Sequence, residues 1–375
     1  MRETGVIGVY AATGRLGQVV AREIAGRGAP LVLAGRDQGR LRALAAQLPR
    51  ALARPAPADE PAALRAAAEG CDVLVNCAPP LRSLSEAVAR AAVDAGADYL
   101  DAAGEQGAIR ALFERLDGPA RERGVAVVPA CGFDYALGDC LARVAAGGLE
   151  PVDRITVAYA LDSTDTRRGS LRGAVESDHA GELVYRARRW RPAPAAGVSR
   201  ATFDFPGTGR RTVTRYGSGE ILTVPRHTDV DTVESFITVE ALAPHPLLAP
   251  ALPYLRPLAA MALRTPLRRP LRAAVRSLQR RHGGPAGAAA DPGSAFTVAA
   301  VARSGGARGC AYARGVHTQR LTAVILAEAA GRLAGGGPRR AGVLSAAAAF
   351  DPGGFLDALA AEGVEWHAVR EVVRG

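Results

Sequence analysis

Between Val6 and Asp37 the chain reads VIGVYAATGRLGQVVAREIAGRGAPLVLAGRD. An apolar run, a glycine-containing turn, an amphipathic stretch and a second apolar run follow at the spacing of a strand–helix–strand unit. Parallel strands joined in this way require a right-handed crossover, so this unit constrains the fold more than any other feature. The pattern continues. Strands are predicted at Val6–Tyr10, Leu31–Ala34, Val73–Asn76, Tyr99–Asp101 and Val125–Val128, with helices at Arg15–Gly26, Gln38–Gln47, Pro61–Glu69, Leu84–Ala95 and Gly107–Glu122. The expected class is α/β: an N-terminal Rossmann-type, doubly wound parallel sheet with its ligand crevice at the carboxyl ends of the strands.

After Gly132 the pattern changes. RITVAYAL, RATFDF, RRTVTRYG, EILTVPRH, VESFITVEAL, FTVAAVARS and RGCAYARGV alternate as strands, which predicts a second, α+β domain on a mixed or antiparallel sheet. SLRGAVESDHAGELVYRARR reads as a helix crossing that sheet, and GGPAGAAADPGS as a loop. TQRLTAVILAEAAGRLAGG reads as a long helix. In the closing DPGGFLDALAAEGVEW, Asp351 is placed to cap, Pro352 to start and Gly363 to end a helix. The expected division is a cofactor domain over 1–131, a substrate or oligomerisation domain over 132–345, and a C-terminal helix over 346–375 returning to the first domain.

The turn Ala11-Ala12-Thr13-Gly14-Arg15-Leu16-Gly17 has the spacing of a dinucleotide-binding loop. Gly14 and Gly17 let backbone approach a pyrophosphate and let helix pack on strand. The helix N-terminus offers amides and the positive end of its dipole. Ala11 stands where the first glycine normally does, and an alanine there requires a negative φ. About 20 residues past such a loop an acidic side chain usually holds the ribose 2′-hydroxyl. Here Arg36 ends the second strand, with Arg40 one helical turn on. A guanidinium grips a 2′-phosphate that a carboxylate would repel, so the expected cofactor is NADP(H). Asp59 reads as an adenine contact or a helix cap, capping being the commoner role. Cys77, Ala78 and Pro79 end the third apolar strand and are expected at the nicotinamide ribose. Gly104, in the loop after YLD, joins the cofactor contacts.

For proton transfer the best cluster is Cys131-Gly132-Phe133-Asp134-Tyr135, just after the last strand of the first domain. Tyr135 can donate a proton, with Asp134 or Asp139 orienting it. The bland alternative has Asp134 capping a helix that starts at Tyr135, and Cys131 and Phe133 packing the domain junction. Asp101 reads as structural, and His317 as a cap or surface residue.

Composition narrows the classes. All 47 basic residues are arginine, which removes Walker-type, Schiff-base-lysine and Tyr-x-x-x-Lys chemistries. The net charge of +10 is spread along the chain without interleaved aromatics, so no nucleic-acid partner is expected. Five cysteines and six histidines show no metal-ligand spacing, and no metal is expected. No leader or membrane span is read, so the expected location is cytoplasmic. The Leu-, Pro- and Arg-rich segment Pro244–Arg281 reads as a lid or a homodimer contact, with peripheral membrane contact as the alternative.

In this order, YAATGRLG, LAGRD, GCDVLVNCAPP, DYLDAAGE and VPACGFDYALGD, continued by SGEILTVPRH and AFDPGGFLDALAAEGVEW, resemble the saccharopine dehydrogenase-like oxidoreductases. The likeness is greatest to the branch called trans-acting enoyl reductases. The resemblance implies an NADP(H)-binding first domain, with Gly14, Gly17 and Arg36 in the cofactor roles, and a mixed sheet beside the cleft. Departures are Ala11 and Pro79 for glycine, Tyr135-Ala136 for a serine and an apolar residue, and His317 for an acid. It implies reduction of an enoyl C=C or a C=N bond in a small-molecule or acyl-type biosynthetic intermediate. Rival readings are saccharopine-type reductive condensation of amino and keto acids, and a cofactor-binding scaffold without turnover at a lipid surface.

Overall fold

The computed structural model describes residues 5–78, 81–161, 182–193, 201–242, 295–336 and 340–372. Pro79 and the segment Pro244–Arg281 lie outside the described residues, as does the GGPAGAAADPGS loop.

The first sheet is built from β1 (Ile7–Tyr10), β2 (Leu31–Gly35), β3 (Ala51–Pro55), β4 (Val73–Asn76), β5 (Asp98–Asp101) and β6 (Ala126–Val128). Between them run α1 (Arg15–Gly26), α2 (Gln38–Ala45), α3 (Pro61–Ala68), α4 (Leu81–Ala95) and α5 (Gln106–Arg123). The strand order is β3-β2-β1-β4-β5-β6, all parallel, and a two-residue strand, β15 (Gly342–Val343), adds beyond β6. The order reverses between β1 and β4, which places the ligand crevice above their carboxyl ends. The strands β1, β2 and β4 to β6 are buried throughout, as near-continuous apolar runs covered on both faces should be. On α1 the residues Gly17, Val20, Ala21, Ile24 and Ala25 are buried, one stripe at helical spacing. Sequence reading missed β3. This edge strand is half-exposed and ends in Arg54-Pro55, residues a central strand would not carry, so it resembled irregular chain.

The second sheet comprises β7 (Val152–Leu161), β8 (Leu183–Arg186), β9 (Arg189–Pro192), β10 (Ala201–Phe205), β11 (Gly209–Arg215), β12 (Val230–Thr238), β13 (Ala295–Ser304), β14 (Ala307–Val316) and β16 (Glu365–Val372). Its main order is β10-β11-β12-β7-β13-β14-β16; β8 pairs with both β12 and β9. Only β7 and β12 run parallel, so the sheet is mixed. The helix α6 (Phe133–Ala146) packs beneath it and leads out of the first sheet. The short helices α7 (Glu220–Thr223) and α8 (Val239–Leu242), the long α9 (Thr318–Ala334), α10 (Ala346–Ala349) and α11 (Pro352–Ala360) complete the fold. One buried cluster runs from Val9 and Leu33 in the first sheet through Leu141 of α6 and Val324 of α9 to Val157 and Ala300 in the second.

Three expectations are corrected. The predicted crossing helix lies partly outside the described residues, and its last residues, 183–189, belong to the β8–β9 hairpin that runs from Leu183 to Pro192. Ala187 and Arg188 take φ of 50° and 58°, the left-handed pair that a two-residue hairpin turn needs. EILTVPRH is not a strand but α7 followed by a 3-10 turn at Val224–Arg226. Pro225 carries no N–H for a ladder, and residues 220–223 bury all round. Finally, 346–375 is more than a returning helix. α11 starts as read, with Asp351 Oδ2 accepting from the Gly354 amide at 2.7 Å and Gly363 at φ 89°, but it packs on α6 and leads into β16, the edge of the second sheet. Among the described residues no helix is long and apolar enough to cross a membrane.

Candidate active site

The cofactor turn leaves β1 at Tyr10. Ala11 takes φ +57°, not the negative value expected of an alanine. The turn needs a left-handed residue there, and its hydrogen bonds impose it. The Ala12 amide donates to Ala34 O at 3.0 Å, tying the turn to β2, and the Gly14 amide donates back to Ala11 O at 2.9 Å. Gly14 is the N-cap of α1 in extended geometry, and no acid occupies the first turn, so the helix start suits an anion. Gly17 is the obligatory glycine. A Cβ there would lie 2.8 Å from Ala12 Cα and overlap Ala11 O, whereas at Gly14 it would sit 3.1 Å from Ala11 O. Thr13 O is held by Arg40 Nη2 and by Gln18 Nε2, each at 3.0 Å. Leu16 is half-buried beside the core, and Arg15 Nη2 donates to Gln319 Oε1 of α9, which packs on α1, at 2.6 Å.

Arg36 directly follows β2. It is exposed and has no hydrogen-bond or ion-pair partner among the described residues. Arg40 is engaged with Thr13, so Arg36 is the uncommitted guanidinium at this corner. The neighbouring Asp37 is no ribose ligand; its Oδ1 caps α2 by accepting from the Arg40 amide at 2.9 Å. Asp59 does not cap α3. Glu60 takes the N-cap position without a side-chain bond, and Asp59 lies exposed in the turn before it. Burial raises the Tyr10 phenol; Arg36 opposes that and Asp59 adds to it, so both charges stand near the end of β1.

At the end of β4, the Cys77 amide continues the ladder to Tyr10 O at 3.1 Å. Burial pushes the Cys77 thiol up to about 12, which leaves it an inert wall residue. The Ala78 amide is capped by Asn76 Oδ1 at 3.0 Å. Asn76, Tyr99 and Asp101 form a buried chain: Asn76 Nδ2 donates to Tyr99 Oη at 3.0 Å, and Tyr99 donates to Asp101 Oδ2 at 2.8 Å. Asp101 Oδ1 accepts from the amides of Ala103 and Ala130, each at 2.9 Å, which binds the loops after β5 and β6 together. Asp101 is structural, as its sequence context indicated.

The helix α6 starts at Phe133, with Gly132 as N-cap, rather than at Tyr135. Asp134 therefore lies in the first turn and caps nothing. It is exposed at the start of α6, just beyond the carboxyl end of β6, and desolvation by the surrounding protein pushes its carboxyl up to about 6. Tyr135 is buried: its hydroxyl donates to Gly104 O at 2.8 Å and lies 3.2 Å from the Tyr216 hydroxyl. Asp139 does not orient Tyr135. It accepts from His227 Nε2 at 2.9 Å and from the Ala347 amide at 2.8 Å, clasping α6 to the 3-10 turn and α10. Burial pushes Asp139 up, but the His227 partner outweighs this and leaves it lowered. Cys131 and Phe133 pack the junction, Phe133 edge-on to Phe296 with ring centres 4.7 Å apart. His317 is the left-handed N-cap residue of α9, with no side-chain cap bond.

Sequence reading missed the second-domain wall. Tyr216 is half-buried beside Tyr135. Tyr159 from β7 meets the Tyr216 ring edge-on at 6.0 Å and donates a hydrogen bond to Glu220. The available signal was YGSGE, two glycines flanking a serine between an aromatic and an acid, which the strand reading of EILTVPRH obscured.

Residues 7–128 match the family model described as the saccharopine dehydrogenase NADP binding domain. The first domain is thus similar to saccharopine dehydrogenase-type NADP-binding domains. The cofactor of this domain is NADP(H). The trans-acting enoyl reductase of Mycobacterium tuberculosis (strain ATCC 25618 / H37Rv) is 33% identical over 139 residues, 36% of this chain and 33% of that protein. A lipid droplet localized protein of Caenorhabditis elegans is 30% identical over 138 residues, 34% of this chain and 32% of that protein. These matches span about a third of each relative's length. Apo saccharopine dehydrogenase (L-Glu forming) from Saccharomyces cerevisiae superposes with a TM-score of 0.64 at 13% identity, covering 97% of this chain and 100% of that one; the two share the fold.

Proposed function

We propose that the protein is an NADPH-dependent oxidoreductase that reduces a C=C or C=N bond of an acyl-type or other small-molecule intermediate in the cytoplasm. The observation that carries this reading is Asp134, exposed at the start of α6 beside the Tyr135–Tyr216 pair at the carboxyl end of an NADP-binding sheet. The dinucleotide supplies the hydride. The chain must hold it, orient the acceptor and provide a proton. The Ala11–Gly17 turn, with its Ala12 and Thr13 backbone, and Arg36 hold the phosphates. Asp59 flanks the adenine end, and Cys77, Ala78 and Gly104 wall the nicotinamide end. Asp134 donates the proton to the atom next to the hydride acceptor. A carboxyl near 6 is well matched to proton transfer at neutral pH, and as a carboxylate it regains its proton from water. Tyr135, anchored on Gly104 O, fixes the wall against which the acceptor rests.

The same residues favour an uncharged acceptor over amino and keto acids. The Tyr135 and Tyr216 phenols, which sense the Asp134 charge, bring no positive charge to a substrate carboxylate. NADPH oxidation followed by absorbance with enoyl thioesters, cyclic imines and keto acid–amino acid pairs tests this. Turnover with the last pair alone overturns it. Asp134→Asn is expected to lower kcat by roughly 10²–10⁴-fold while NADPH affinity holds. The worm relative's name favours a second reading, contact with a lipid surface, which flotation with anionic liposomes checks.

A further inference from the structure

Glu220 opens α7 and is fully buried, in a position no step of the proposed reduction uses. One carboxyl oxygen accepts from the Tyr159 hydroxyl; the other, Oε2, has no hydrogen-bond partner among the described residues. The groups around it come from three elements. β7 contributes Tyr159, α6 contributes Tyr135 and Asp139, and its own turn contributes Tyr216 and Ser218. The charged neighbour among these is another carboxylate, Asp139, and no arginine bonds Glu220 among the described residues. An ionised Glu220 would therefore be a buried charge without a counter-ion; burial outweighs the Ser218, Tyr159 and own-amide hydrogen bonds that favour it, so the neutral acid is preferred.

The fold makes room for this acid. Gly138 of α6 faces it, and a Cβ there would overlap both the carboxyl and the Tyr159 hydroxyl. Gly219 does the same for Tyr135, whose ring lies 3.0 Å from the position a Cβ would take. Two glycines from different elements thus admit a linked set. Glu220 holds Tyr159, Tyr159 packs edge-on to Tyr216, and Tyr216 meets the Tyr135 hydroxyl beside Asp134.

We propose that Glu220 is a positioning residue that keeps a proton behind Tyr159 and thereby holds the Tyr216–Tyr135 wall in register with Asp134. The proposal rests on the reductase reading for its role in turnover, but its physical content stands apart from it. Desolvation pushes the Glu220 carboxyl up to about 8, so the device is engaged at neutral pH and released above that. Once ionised, Glu220 draws the Tyr159 hydroxyl harder onto Oε1 and leaves Oε2 a buried charge without a donor, which disturbs the ring packed against Tyr216.

The test uses the full chain with NADPH bound, titrated from about pH 6 to about pH 9. Infrared difference spectra should show a protonated carboxyl stretch that is lost near pH 8. Near-ultraviolet circular dichroism of the tyrosines should change in the same step. Glu220→Gln, a neutral isostere, should abolish both steps near pH 8, and with an acceptor that is turned over it should remove the fall in kcat near pH 8 while leaving the earlier fall set by Asp134, and KM, unchanged. If Glu220→Gln does not fold, Tyr159→Phe serves: it removes a hydrogen bond that favours the ionised form, so the step should move to higher pH. A missing carboxyl band at about pH 6, or a tyrosine signal whose step is the same in wild type and variant, overturns the proposal. Absence of turnover with every acceptor sinks the reductase reading instead, and leaves the spectroscopic outcome to decide this one.

Discussion

Two short glycine-bearing turns face the crevice, one at 11–17 and one at 216–220, and they use glycine for different ends. In the first, Gly17 serves the backbone: a side chain there would strike the main chain of Ala11 and Ala12. In the second, Gly219 and its counterpart Gly138 on α6 serve other side chains, clearing space for Tyr135 and for the Glu220–Tyr159 pair. A backbone requirement is local and leaves a spacing in the sequence. A packing requirement joins residues remote in the chain and leaves none. That difference explains why one half of the crevice could be read in advance and the other could not.

The contrast can be broken or sharpened by substitution. The largest effect is expected at Gly17. Gly17→Val meets backbone that cannot move aside, so urea unfolding should show a loss of about 3 kcal/mol and NADPH binding should vanish; a mild effect would mean the turn is looser than its hydrogen bonds imply. Next comes Arg36→Ala, expected to weaken NADPH by roughly 1.5–3 kcal/mol in a fluorescence titration and to leave NADH unchanged. Equal losses for both cofactors would remove the 2′-phosphate role.

A smaller effect should appear in the pH dependence of stability. Glu220 has a raised folded-state value, so its contribution is fully present below its ordinary carboxylate range and is lost as pH rises toward about 8. Over that window it tilts stability downward by up to about 1.4 kcal/mol per pH unit, and Glu220→Gln should flatten the slope seen in thermal melts. Last, Ala11→Gly relieves a left-handed alanine and should stabilise the protein by about 1 kcal/mol, without the pH signature of Glu220.

Much of the first domain was legible because its rules are short-ranged. Buried parallel strands read as apolar runs, α1 shows its stripe, and Asp351 and Pro352 announce α11. The edge strand β3 escaped because its burial is partial. Asp134 was singled out as a partner of Tyr135, with helix capping as the alternative; the helix begins two residues earlier than that alternative required, which leaves Asp134 an exposed acid in the first turn. Tyr135 was read as the donor, yet its hydroxyl is committed to Gly104 O, a bond across 31 residues that no pattern reveals. Glu220 was hidden by a run of alternating residues that Pro225 turns into a helix and a 3-10 turn.

The two-residue strand at Gly342–Val343 pairs with Ala126 and Val127 after the chain has already built most of the other sheet. The polypeptide thus re-enters its opening half late and then departs again along Glu365–Val372. A fragment cut near residue 131 would expose the flank of β6 and also lose Gln319, which grips Arg15. Excised as a contiguous piece, the nucleotide-binding half should be an aggregation-prone stub, and exchanging halves between relatives will require transplanting at least two separate stretches of chain.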